Sequence, residues 1–319
     1  MRTENAPGEE SRDDLPSMQE LEPSPIEDSP AIEKGGYFPV DSISPPSATP
    51  SARSSTLGLS GGGGHGVAYY LIRLQRYSSY ASSLFLIGHV TNTALIPLAT
   101  RSVSASDNYL LLTRPYYQSP LAEPLVVVLP ILTHVVSGLG LRLYRRYQLR
   151  KRYDASLYSR AERRKLSAWP KVSATSALGS ALVPLVATHV LVNRLVPLWV
   201  EGGSSSVGLG YVAHGFAKHP VVAAVGYATL IGVGSWHFVN GWAKWLGWAP
   251  DQVPEGSVVG GERKRRRRWW GVNGISAFVA AIWMAGGLGI VGRGGVGKGW
   301  VGRGWDELYR QVPIVGEWM

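Results

Sequence analysis

Five long apolar stretches, at about residues 76–98, 124–143, 172–198, 221–246 and 270–291, constrain this chain more than any other feature. Each approaches the ~20 residues an α-helix needs to cross ~30 Å of hydrocarbon. Packed into about 220 residues, they leave too little polar surface to solvate a globule, which argues against buried helices of a large soluble protein. A lipid solvent admits such segments only where backbone groups bond internally. The sequence therefore predicts an all-α, polytopic membrane protein with five transmembrane helices.

Charge divides the chain further. Residues 1–60 carry eleven acidic against four basic side chains, whereas the remainder carries eleven acidic against twenty-eight basic. The first 66 residues read as a disordered acidic Pro/Ser-rich tail that cannot bury enough apolar surface to offset its ordering entropy. Residues 67–292 form the predicted transmembrane domain and 293–319 a short Gly/Trp-rich C-terminal segment. The acidic N-terminus offers neither the basic n-region and apolar h-region of a secretory signal nor the Arg-rich character of a transit peptide. With no cysteine, disulfides, thiolate metal sites and cysteine nucleophiles are excluded.

The loops predict an orientation. Eleven Lys/Arg lie in residues 142–171 and six in Arg263–Arg268, against Arg101, Arg114 and Lys218 in the alternate loops. Excess positive charge marks the cytosolic side, which places the N-terminal tail there and the C-terminus opposite. Arg263, Lys264, Arg265, Arg266, Arg267 and Arg268, followed by Trp269 and Trp270, suit contact with lipid headgroups rather than nucleic acid. The run Gly292–Gly299 resembles a P-loop, but Gly299 replaces the magnesium-binding Ser/Thr and no strand precedes it, so no nucleotide is expected. Asp306 and Glu307 have no evident catalytic partner in the sequence. Pro130 and Pro184 are expected to bend their spans.

An internal repeat organises the spans. His89-Val-Thr-Asn-Thr-Ala-Leu-Ile-Pro-Leu98 and His189-Val-Leu-Val-Asn-Arg-Leu-Val-Pro-Leu198 share five of ten positions, and His134 and His237 each open a His-x-Val-x-Gly pattern. The offsets are 100 and 103 residues. Two matches at nearly one offset predict a duplicated two-helix hairpin, its halves related by an axis along the membrane normal, with a fifth helix added. The symmetry pairs His89 with His189 and His134 with His237. An ionisable side chain in a membrane is costly unless it faces the bundle interior and finds a partner. Two neutral imidazoles across a bundle can hold haem b axially, with Gly138 and Gly241 giving room for a macrocycle. The same histidines can instead bond to Asn92, Asn193 or Ser137 on neighbouring helices, or line a proton or quinone path.

Within the tail, Leu21, Pro23, Pro25 and Ile26 form a Pro-x-Pro element with apolar flanks, an extended shape that a groove can recognise cheaply. Together with the five spans, the basic second cytosolic loop and the histidine-marked helices, it resembles the fungal mitochondrial adapter protein family. That resemblance implies a multi-pass protein of the mitochondrial outer membrane. It also implies recruitment of a bridge-like lipid-transfer protein of the vacuolar protein sorting class for organelle contact and lipid homeostasis. Pro23 and Pro25 would carry the binding, with Leu21 and Ile26 filling apolar pockets. The membrane domain is also similar to the haem-bearing anchor subunits of succinate and fumarate dehydrogenases, through one histidine per helix and the stretch His237–Gly241. Two functions follow. One is a non-enzymatic adapter, whose ~45-residue linker from Ile26 reaches about 35–40 Å. The other is a b-type cytochrome-like protein for electron transfer.

Overall fold

The computed structural model describes residues 66–152, 172–253 and 260–313. Among these every regular element is helical, and five helical segments have membrane length: Val67–Thr100, Glu123–Gln148, Ala174–Glu201, Pro220–Gln252 and Gly261–Arg293. The first and fifth extend well beyond the apolar stretches, because polar and basic residues continue the helices past the hydrocarbon. The run Arg263–Arg268, expected as a loop, forms instead the opening turns of the last span.

The first span comprises α1 (Val67–Val90), a π-helical turn (Thr91–Leu95) and α2 (Ile96–Thr100). Short helices α3 (Val103–Thr113) and α4 (Pro115–Gln118) lead to a second π turn (Glu123–Val128) and α5 (Leu129–Arg152). The second half repeats this plan, without a counterpart of α4 or of the second π turn, as α6 (Ala174–Val190), a π turn (Leu191–Leu195), α7 (Val196–Glu201), α8 (Leu209–Lys218) and α9 (Pro220–Trp245). Then come α10 (Gly261–Gly287) and α11 (Gly299–Arg310), the latter within the C-terminal segment.

All three π turns end two residues before a proline: Pro97, Pro130 and Pro197. Proline lacks an amide hydrogen, and in an α-helix its ring strikes the carbonyl four residues back. The wider turn takes up the conflict, with Ile96 bonding to the Thr91 carbonyl and Val196 to that of Leu191. Side chains occupy carbonyls near the disturbance: Thr93 Oγ1 donates to the His89 carbonyl at 2.7 Å, and Asn193 Nδ2 to that of His189 at 2.8 Å. Pro184, by contrast, lies inside the assigned α6, with no π turn before it.

In the bundle α1 packs along α5, and α9 along both α6 and α10. Small residues line these contacts, as expected where lipid gives helices no hydrophobic reason to associate. Ser78, Ser83, Ser235 and Ser276 are buried, while Leu84, Val221 and Phe278 face outward. The closest approach joins the last span to the first π turn: a Cβ at Gly286 would lie 2.2 Å from the Ala94 carbonyl oxygen. Trp242 Nε1 donates to Ser83 Oγ at 3.1 Å, and Trp236 Nε1 to Asn273 Oδ1 at 2.9 Å, tying α9 to α1 and α10.

Helices α3, α8 and α11 form a second layer over the end of the bundle opposite the Arg263–Arg268 run. Asp107 of α3 accepts the Leu209 amide at the start of α8. His214, fully buried, accepts the Gly297 amide on Nδ1 at 3.0 Å and donates from Nε2 to Asp306 at 2.9 Å. Lys218 completes the cluster, 3.0 Å from the same carboxylate. Burial works to raise the Asp306 carboxyl, but the bonds from His214 and Lys218 outweigh it and hold it below its ordinary range. Asp306 thus has a partner that the sequence did not reveal, on the packed side of α11. Tyr309 stacks on Tyr211 at 4.5 Å, and burial raises both phenols.

Candidate functional site

A cavity of 3040 Å³ lies among the spans, the last one included, and is lined by His89, His134, His189 and His237. Each half supplies the same parts: a histidine just before the π turn of its first span, and another in its second. Such side chains face inward because a lipid-facing imidazole would have no hydrogen-bond partner.

The structure brings the four together in the pairs that the repeat predicts. His134 and His237 have ring centroids 6.1 Å apart with an interplanar angle of 77°. His89 and His189 lie 5.9 Å apart at 79°. The surroundings of the two pairs differ. His134 Nδ1 donates to the Gln75 carbonyl at 3.2 Å, and His237 Nδ1 to the Thr175 carbonyl at 3.1 Å. Gln75 and Thr175 are themselves 100 residues apart, so each hairpin contributes one imidazole and the carbonyl that orients its ring. Both Nε2 atoms are thereby left as acceptors.

At the other pair, Asn193 Nδ2 lies 3.3 Å from His189 Nδ1 and 3.2 Å from the Tyr227 hydroxyl. Phe85 stacks on the His89 ring at 5.6 Å. The sequence expected Asn92, Asn193 or Ser137 to reach histidines on neighbouring helices. Among these only Asn193 reaches an imidazole ring, that of His189 one turn back on its own span. Asn92 Nδ2 donates instead to Thr113 Oγ1 at 2.9 Å, and Ser137 Oγ to the His134 carbonyl at 3.1 Å.

The glycines also divide. Gly138, expected to give room beside His134, packs on α1: a Cβ there would meet Gln75 Nε2 at 2.9 Å. Both glycines line the cavity, but a Cβ at Gly241 would meet nothing within 4 Å. The glycine that sequence reasoning missed is Gly179, where a Cβ would lie 2.8 Å from His237 Cε1. It is one turn after Thr175, and its bare backbone lets the His237 ring reach that carbonyl.

Near the α8 end of the cavity, Arg194 is held in a fork by Glu123, with Nε to Oε1 at 2.6 Å and Nη2 to Oε2 at 2.5 Å. Its Nη1 also donates to Ser204 Oγ at 2.7 Å. Arg114 donates to the Ser204 and Val207 carbonyls, so two arginines fix the loop between α7 and α8. At the opposite end, Arg263 through Arg267 are exposed and Arg268 is half-buried. The candidate partner-binding residues Leu21, Pro23, Pro25 and Ile26, and most of the basic loop after α5, lie outside the described residues.

Residues 184–296 match the family model of the MDM10-complementing protein 1 transmembrane domain. The matched segment runs from within α6 through α9 and α10, which is the second hairpin and the added helix. It covers about a third of the chain. No curated protein and no solved structure matches the chain. A polytopic chain carrying a segment similar to that domain fits a mitochondrial membrane protein of that type.

Proposed function

We propose that this protein is an adapter of the mitochondrial outer membrane, anchored by its five spans with its N-terminal tail in the cytosol. The tail recruits a bridge-like lipid-transfer protein of the vacuolar protein sorting class and so supports organelle contact and lipid homeostasis. The observation that carries this reading is the match of residues 184–296 to the MDM10-complementing protein 1 transmembrane domain. The tail adds a Pro-x-Pro element, Pro23 and Pro25 between Leu21 and Ile26, whose fixed φ lowers the entropy cost of lying in a groove. Arg263–Arg267, exposed on the opening turns of α10, are suited to anionic headgroups. Catalysis has no part in this reading.

The test is imaging of a tagged lipid-transfer partner at mitochondria while variants are overexpressed. Pro23→Ala with Pro25→Ala should abolish recruitment and leave membrane insertion intact, whereas Pro45→Ala with Pro46→Ala should have little effect. Undiminished recruitment by the first double variant would remove the tail motif from the reading. Orientation is tested separately: protease added to intact mitochondria should remove an N-terminal tag and spare a C-terminal one.

A further inference from the structure

We propose that the opening turns of α10 form a binding site for a phosphoinositide, a phospholipid whose headgroup carries a phosphomonoester beyond its diester. The site deepens the headgroup contact named above and rests on that membrane reading, but not on recruitment by the tail.

The basic run is not one surface. Glu262, Arg265 and Arg266 line the central cavity, whereas Arg263, Lys264, Arg267 and Arg268 line a separate pocket of 570 Å³ with Gly260. The helical period makes the division, because Arg263 and Arg267, like Lys264 and Arg268, are four residues apart and share a face. On the cavity side cations have partners: Lys244 lies 3.1 Å from Asp251, and Arg142 donates to Ser176 Oγ at 3.1 Å. The outer pocket has four cations and, among the described residues, no carboxylate on its wall. Arg268 Nη1 donates to the Ala249 carbonyl at 3.4 Å, a neutral partner. Like charges four residues apart repel, and the N-terminal turns are where the helix dipole least favours cations. A multiply charged anion held between these side chains relieves both costs.

The face below the pocket indicates what kind of molecule brings that anion. Arg263, Arg267, Trp270, Gly274 and Phe278 follow one another along a single side of α10. Trp270 and Phe278 are exposed, and a Cβ at Gly274 would meet nothing within 4 Å. The cationic pocket therefore opens without interruption onto a bare apolar strip in the membrane. A soluble anion gains nothing from that strip, whereas acyl chains can lie along it.

Depth then selects the headgroup. Trp270 marks the edge of the hydrocarbon, and the headgroup layer beyond it is about 5–7 Å thick. At 1.5 Å per residue Arg267 and Arg268 lie about 3–5 Å outside Trp270, at the level of a phosphodiester. Arg263 and Lys264 lie about 9–11 Å outside it, past the diester of any phospholipid. An inositol ring carrying a phosphomonoester spans that gap, so the inner pair meets the diester and the outer pair the added phosphate.

The test is native mass spectrometry of the full chain, purified in detergent, with phosphatidylinositol and a phosphatidylinositol monophosphate of the same acyl chains. The wild type should prefer the monophosphate roughly tenfold. Arg263→Gln with Lys264→Gln should remove most of that preference while phosphatidylinositol still binds. Arg265→Gln with Arg266→Gln takes the same charge from the cavity face; it should weaken both lipids alike and keep the preference. All four positions are exposed and glutamine is a good helix former, so elution and helicity should match the wild type. The free inositol bisphosphate headgroup should compete roughly tenfold less well than the lipid. Equal binding of the two lipids by the wild type would overturn the proposal. So would an equal loss of preference in the two double variants, or competition by the free headgroup as strong as by the lipid. Because binding is read on the isolated chain, none of these outcomes bears on recruitment by the tail.

Discussion

Asp107 Oδ1 accepts the backbone amide of Leu209 at 2.9 Å, so a carboxylate in the first half of the chain caps a helix in the second. The bond joins α3 to α8, the equivalent short helices of the two hairpins. It satisfies one of the amides that every helix leaves free at its N-terminus, and it puts negative charge where the helix dipole favours it. Gly208 makes the approach feasible, because a Cβ there would lie 2.4 Å from the same oxygen.

Asp107→Ala should lower stability by about 1 kcal/mol through loss of the cap. Gly208→Val should cost more, by about 1–3 kcal/mol, because the added atoms displace the carboxylate. Thermal unfolding in detergent measures both, and the two effects should not add, since each removes the same contact.

The contact between Gly286 and Ala94 predicts that Gly286→Ala pushes α10 away from the first π turn, at a cost of about 1–3 kcal/mol. Gly274→Ala, where a Cβ meets nothing within 4 Å, should be nearly neutral or slightly stabilising because alanine is the better helix former. A cysteine crosslink between the first and last spans would report the displacement directly.

The fork between Arg194 and Glu123 links the third span to the second across 71 residues. Removing either partner leaves the other charge half-buried, so Arg194→Ala and Glu123→Ala should each destabilise by about 2–4 kcal/mol. The double variant should be less damaging than the sum, and a double-mutant cycle gives the coupling.

Acid should loosen the outer layer before it affects the bundle. The Asp306 carboxyl is held below its ordinary value of 3.8 by His214 and Lys218, so its contribution is fully present above that value. It is lost as pH falls through the lower folded-state value. Tryptophan fluorescence of Trp305, whose ring lies 5.6 Å from that of His214, should therefore show an acid transition in the wild type. Asp306→Asn should abolish the step while leaving overall helicity unchanged.

The sequence revealed long-range order where it is periodic and concealed it where it is not. Hydropathy located all five spans, since a bilayer demands a run of apolar residues whatever the fold around it. The His89 repeat paired the histidines because duplication copies depth along with sequence. The π turns escaped notice, although a proline two residues beyond each is a usable signal. Asp107 was also invisible, because a cap contributed from 102 residues away leaves no local pattern. The partner of Asp306 is hidden for the same reason: His214 sits on a different helix. The basic run Arg263–Arg268 was read as a loop from its charge, yet arginine and lysine are good helix formers and simply extend α10 beyond the membrane.

The π turns bear on how the chain arose. A π turn holds one residue more than the α-helix it interrupts, and such an insertion is costly to acquire because it rotates everything downstream by about 100°. The turns at Thr91–Leu95 and Leu191–Leu195 stand 100 residues apart in register, each between the repeated histidine and the repeated proline. Two separate insertions at equivalent positions are a less economical history than one. An ancestral hairpin that already carried the extra residue accounts for both, and it would have met its own second copy across the cavity that the histidines now line.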